Sequence, residues 1–133
     1  MKNEKQPKQT ISTNTVWEEI AGYSRAVRVG DQIHVSGTTA TGPDGNVVGP
    51  GDPGSQARFI LDKIENAIQQ LGGTLNDVIR TRIYLSDKSQ WEPVARAHGE
   101  RFGKIRPANT LVQAQLVGDD YLVEIEATAI VQG

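Results

Sequence analysis

The stretch that most constrains the fold runs from Arg106 to Ala129. It reads as two strands joined by a short loop at Gly118-Asp119-Asp120, a C-terminal hairpin. A strand sends successive side chains to opposite faces. In the second strand Val123, Ile125, Ala127, Ala129 and Val131 share one face, while Leu122, Glu124, Glu126 and Thr128 share the other. In the first, Thr110, Val112, Ala114 and Leu116 oppose Leu111, Gln113 and Gln115. An unpaired carboxylate is costly in an apolar core. The acidic face therefore meets water, a second subunit or a ligand, and the chain's own apolar groups cover only the other side.

Two amphipathic segments can provide that cover. Asp52-Pro53 places a capping acid and an N1 proline at a helix start. Ala57, Ile60, Leu61, Ile64, Ala67, Ile68 and Leu71 then recur at three-and-four spacing up to Gly72-Gly73. Ser89 to Phe102 predicts a second helix, with Trp91, Val94, Ala95, His98 and Phe102 as its stripe and Gly103 after its end. Its start is disturbed by Pro93, whose missing N–H would cost a bond inside a helix.

Strands precede and separate these helices. Thr15 to Ile20 predicts an edge strand, and Ala26 to Gly37 a hairpin turning at Gly30-Asp31. Gly37 ends the second hairpin strand and leaves its backbone open to a ligand or another chain. Thr38 to Gly54 is loop, with Gly and Pro clusters. From Asp77 to Ser86, Ile79, Thr81, Ile83 and Leu85 share a face opposite Arg80, Arg82, Tyr84 and Ser86. Arg106-Pro107 favours extended backbone before the last strands.

The expectation is an α+β fold, a mixed sheet backed by two helices. Residues 15–133 form a single domain and residues 1–14 a frayed polar tail. The second sheet face then carries Arg80, Arg82, Tyr84, Gln113, Gln115, Glu124 and Glu126. Either water covers it or copies of the chain pack it around a central cavity.

Charge narrows the function. Fourteen basic and 16 acidic residues leave a net charge of -2, without the basic excess on which charge-driven nucleic-acid or membrane-surface binding rests. With no cysteine, thiolate nucleophiles and thiolate-held metals are excluded, and the two histidines, His34 and His98, have no zinc-motif spacing. No metal and no cofactor is expected. The N-terminus has no apolar segment of a secretory signal and no stretch is long enough to span a membrane, so the chain reads as soluble and cytoplasmic.

From Gly22 to Val131 the sequence resembles the Rid proteins, the reactive intermediate deaminases also called the YjgF or translation inhibitor L-PSP group. The resemblance rests on Gly22-Tyr23-Ser24-Arg25-Ala26-Val27, Val35-Ser36-Gly37, Gln56-Ala57-Arg58, Asp77-Val-Ile-Arg-Thr with Tyr84-Leu-Ser-Asp87, Arg106-Pro107-Ala108 and Val123-Glu-Ile-Glu-Ala127. It implies a chorismate-mutase-like fold, a homotrimer assembled around its sheets, and small-molecule clefts between subunits. It also implies hydrolysis of reactive imines and enamines such as 2-aminoacrylate to keto acids and ammonia. On this resemblance Glu124 holds the attacking water, Gly37 lends the backbone position and Tyr23 closes the pocket.

The sequence departs from the resemblance at the carboxylate clamp. The position of the family's arginine holds Asn109, and Leu111 stands where a smaller residue is usual. Arginine gives a carboxylate two charge-assisted bonds and a full charge, and asparagine only neutral ones. In a desolvated cleft the difference is ~2–4 kcal/mol, orders of magnitude in turnover at about 1.4 kcal/mol per decade. The expected site suits a neutral or amide-like group, or a larger substrate. Arg25 shares a side with Tyr23 by alternation and is the candidate replacement cation, the alternative being an exposed surface arginine. The competing function is a non-catalytic, trimeric ligand-binding or chaperone-like protein. A ribonuclease is disfavoured by the acidic balance.

Other residues carry structural expectations. Glu126 is better placed than Glu124 to pair with Arg80 or Arg82 across the sheet. His98 is a packed histidine and His34 a structural one, while Trp17 and Trp91 anchor a core or an interface.

Overall fold

The computed structural model describes residues 7–132. Helix α2 (Pro53–Gln70) begins where the sequence requires, with Asp52 accepting the backbone N–H of Ser55 at 3.1 Å. Its apolar stripe, Ile60, Leu61, Ile64, Ala67 and Ile68, is almost fully buried. Helix α3 (Trp91–Phe102) starts two residues later than expected, after a 3-10 turn at Lys88–Gln90. In this register Pro93 lies in the first helical turn, where backbone N–H groups have no intrahelical partner to lose. Val94, Ala97 and Phe102 are its buried residues, while Trp91 is 52% exposed. Ala97 thus takes the place expected for Ala95 in the stripe.

The strands are β1 (Gln9–Ile11), β2 (Ala26–Val29), β3 (Gln32–Thr39), β4 (Val78–Leu85), β5 (Ala108–Gln113) and β6 (Val123–Ile130). They form one mixed sheet in the order β1-β2-β3-β6-β4-β5, in which only β4 and β5 run parallel. Parallel neighbours need a long crossover, and α3 supplies it between β4 and β5. Helices α2 and α3 pack on one sheet face over Ile33, Val35, Ile83, Leu85, Val123 and Ile125. The expected α+β architecture, a mixed sheet backed by two helices, is present. Among the described residues no helix is long and apolar enough to cross a membrane.

Several local expectations are corrected. Thr15 to Ile20 is not an edge strand: Val16–Ala21 is a short helix, α1, closed by Gly22 at φ 74°. Part of the expected tail is structured, since β1 pairs with β2 through Gln9–Arg28, Thr10–Val27 and Ile11–Ala26. Residues 1–6 of that tail, and Gly133, lie outside the described residues. β5 and β6 do not form a hairpin, because β4 lies between them and pairs with both. Alternation within a strand says nothing of which strands meet; pairing between distant segments is a tertiary choice. Arg106 has φ 59°, so the residue before Pro107 is left-handed.

Two bulges reset the alternation. In β4 the register shifts between Val78 and Arg80, so Val78 is buried and Ile79 is 48% exposed. In β3 the shift lies between Val35 and Thr38, and the strand continues past Gly37 to Thr39. Parallel pairing of β5 puts Asn109 opposite Thr81, Leu111 opposite Ile83 and Gln113 opposite Leu85. Those residues therefore belong to the helix-covered face. Gln113 leaves the expected polar face, where Thr110 joins Arg80 through a 2.9 Å hydrogen bond.

Candidate active site

The site begins at the start of α1. Thr15 caps this helix, and Glu18 completes a capping box by reaching back to the Thr15 N–H at 3.2 Å. The Glu18 carboxylate also accepts both hydroxyls, Thr13 and Thr15, at 2.8 Å each. Burial alone would raise its pKa. The hydrogen bonds from Thr13 and Thr15 outweigh that and hold it at about 2. Glu18 is thus a fixed anion, and Arg25 Nη2 lies 3.4 Å from it.

Arg25 is 3% exposed, so it is no surface arginine. Its Nε donates to Thr13 Oγ1 at 3.2 Å, and Nη1 donates to Gly37 O at 2.7 Å and Thr38 Oγ1 at 3.1 Å. The guanidinium therefore clamps the β3 bulge to the loop before α1. It also lies 5.7 Å from the centre of the Tyr23 ring, on the side that alternation gave it.

The bulge brings Gly37 against Glu124. Ser36 and Gly37 together oppose Glu126, between the pairs Val35–Ala127 and Thr38–Ile125. A Cβ on Gly37 would stand 2.1 Å from Glu124 Oε2. Only glycine admits the carboxylate at this distance. Burial raises the Glu124 pKa above 4.5, the Arg25 charge lowers it and Glu126 raises it again. Among the described residues nothing donates a hydrogen bond to that carboxylate, so its oxygens remain available to a water or a substrate.

Glu126 has the opposite situation. It faces Arg82 in register, with Arg82 Nη1 at 3.7 Å, and accepts the Tyr84 hydroxyl at 2.5 Å. Two acids two residues apart are thereby separated: Glu126 is held in a sheet-face network and Glu124 is left open.

Glu124, Gly37, Tyr23, Arg25, Trp17 and Lys63 line one cavity of about 180 Å3. Asn109 and Leu111 are not part of its lining within one chain. Asn109 Nδ2 donates to Thr81 Oγ1 at 3.0 Å, and Thr81 Oγ1 lies 2.8 Å from His98 Nε2. Burial keeps the His98 imidazole toward its neutral form. His98 also packs on Phe102, with ring centroids 4.6 Å apart. Glu124 and Asn109 sit on opposite faces of the same sheet.

Trp17, expected from sequence as a core or interface anchor, lines the cavity instead, and so does Lys63, which no sequence motif marked. The signal for Lys63 was present. Gln56, Ile60, Lys63 and Ala67 recur at helical spacing, and the other three are buried. A lysine inside a buried stripe needs something to face.

Residues 13–131 match the family model described as Endoribonuclease L-PSP. The chain belongs to this family. The Rv2704 protein of Mycobacterium tuberculosis, described as a member of the YjgF/YER057c/UK114 family, superposes with a TM-score of 0.85 at 43% identity, covering 94% of this chain and 100% of that one. The YjgF gene product of E. coli superposes at 0.80 with 27% identity, covering 93% and 99%. The 3-aminoacrylate deaminase RutC of Acinetobacter baylyi is 32% identical over 123 residues, 92% of this chain and 98% of that protein. The mixed sheet and its helices are thus the L-PSP family fold, and α1, the β3 bulge and β6 all lie within the matched residues.

Proposed function

We propose that this L-PSP family chain is an imine or enamine deaminase working in the Glu124 cavity. The observation that carries this reading is Glu124 itself: an open carboxylate, raised in pKa by burial and seated over Gly37 in a cavity. A carboxylate that ionises nearer neutrality is a good acceptor for the proton of an attacking water. Water adds to the imine carbon as Glu124 takes one proton. Glu124 returns that proton to the substrate nitrogen, giving a carbinolamine. The carbinolamine hydroxyl then gives its proton to the amine as the C–N bond breaks and the C=O bond forms, and ammonia and a carbonyl compound leave. Every atom of the reaction comes from the imine and one water, so no cofactor enters the balance. Tyr23 closes one wall of the cavity.

The proposal includes assembly. In a homotrimer with clefts between subunits, the free edge of β5 would bring a neighbour's Asn109 and Leu111 toward the cavity that Glu124 occupies. The half-exposed Val112 and Ile79 on that flank are apolar groups suited to a subunit contact. The likeness to the 3-aminoacrylate deaminase RutC supports the chemistry, while Asn109 supports a second reading, a trimeric ligand-binding protein that has kept the cleft without turnover.

A trapping assay tests the function. 2-Aminoacrylate, and then longer imines, are generated enzymatically in the presence of semicarbazide, and keto-acid release is followed. The expected result is faster release with this protein, with an acid limb whose inflection lies above pH 4.5 because Glu124 must lose its proton to act. No acceleration for any imine, with a small molecule still bound, would leave only the ligand-binding reading.

A further inference from the structure

We infer that the Lys63 ammonium is the specificity-determining cation of the Glu124 cavity, holding the carboxylate of the substrate there. This rests on the reading of that cavity as an imine-hydrolysing site, and supplies the charge that Asn109 does not.

The cavity contains two cations, and they differ in what they have left to give. Arg25 uses four of its five N–H groups on Thr13, Gly37, Thr38 and Glu18. Glu18, ionised down to about pH 2, balances its charge. Arg25 is a structural clamp with little capacity for an incoming anion.

Lys63 is in the reverse position. It projects from α2 in line with buried Gln56, Ile60 and Ala67, and its side chain is partly buried. Its Nζ makes one hydrogen bond, a long 3.3 Å contact to Thr41 O, and no ion pair among the described residues. An ammonium has three donors, so two are left without a protein partner among the described residues, on a side chain that lines the cavity. Burial and then the Arg25 charge push its pKa down, and Glu18 only partly offsets them. An entering carboxylate would fill the open donors and supply the missing counter-charge. A surface lysine would extend its head to bulk water instead. Here the head meets a carbonyl at the wall of the cavity that also holds Glu124 and Tyr23.

The test compares an acid with its amide by calorimetry on the full chain, using pyruvate and pyruvamide. The unsubstituted protein should bind pyruvate at least about tenfold more tightly than pyruvamide, the scale of one charge-assisted contact. Lys63→Met should lose about tenfold or more for pyruvate while changing pyruvamide by less than about threefold, and Lys63→Arg should retain pyruvate binding. Equal binding of acid and amide by the unsubstituted chain would overturn the proposal without recourse to any variant. So would a folded Lys63→Met that binds pyruvate normally. The binding measurement needs no turnover, so a protein that prefers pyruvate through Lys63 but hydrolyses no imine refutes only the deaminase reading. A Lys63→Met variant that hydrolyses 2-aminoacrylate at the full rate refutes only the role of Lys63.

Discussion

Gly37→Ala is expected to lower kcat/KM for imine hydrolysis by about 10²-fold while changing thermal stability little. The two effects separate because of what the new methyl meets. It would lie 2.1 Å from Glu124 Oε2 and 3.1 Å from Glu124 Cδ, both at the free end of a flexible side chain. The glutamate can swing aside at small cost to the fold. The water it positions cannot follow, and a displacement of about 1 Å in a reacting group is worth about two orders of magnitude. Gly37 needs no left-handed backbone, so the substitution adds no conformational strain. Kinetics and a melting curve on the same preparation check both halves. A large loss of stability would show that the methyl strikes something less yielding than a carboxylate.

Glu18→Ala should cost about 3 kcal/mol of unfolding free energy near neutral pH. A folded pKa of about 2 against 4.5 unfolded corresponds to that stabilisation. Arg25 would also be left buried beside no counter-charge. Because the folded pKa is depressed, the contribution is complete above pH 4.5 and disappears as the pH falls through about 2. Urea titrations at pH 7 and at low pH should therefore show a wide gap between the parent and Glu18→Ala that narrows with acidification. A gap of similar size at every pH would mean that lost packing, not charge, is responsible.

The helices were legible because their apolar stripes repeat over many residues, as in Ile60, Leu61, Ile64 and Ile68. The first helix was missed because Val16, Trp17 and Ile20 favour strands, although Thr15 and Glu18 stand at capping-box spacing. The faces of β6 followed from strict alternation, whereas those of β4 shifted by a bulge that no local pattern announces. The placement of β4 between β5 and β6 depends on pairing between distant segments, and adjacency in sequence pointed the wrong way. The contrast between Glu124 and Glu126 was visible in part, since alternation put Glu126 on the face of Arg80 and Arg82, and only the register of the folded sheet sets it against Arg82. What burial does to Glu124, and what occupies the donors of Arg25, required the three-dimensional neighbourhood.

Glu124→Gln in the semicarbazide-trapping assay is the sharpest test of the water-activating role of Glu124. Glutamine keeps the shape beside Gly37 and cannot accept the proton of the attacking water. The prediction is that the parent chain accelerates keto-acid release from an imine and that Glu124→Gln, equally folded and assembled, loses at least about 10²-fold of that acceleration. A Glu124→Gln protein that releases the keto acid as fast as the parent would contradict it.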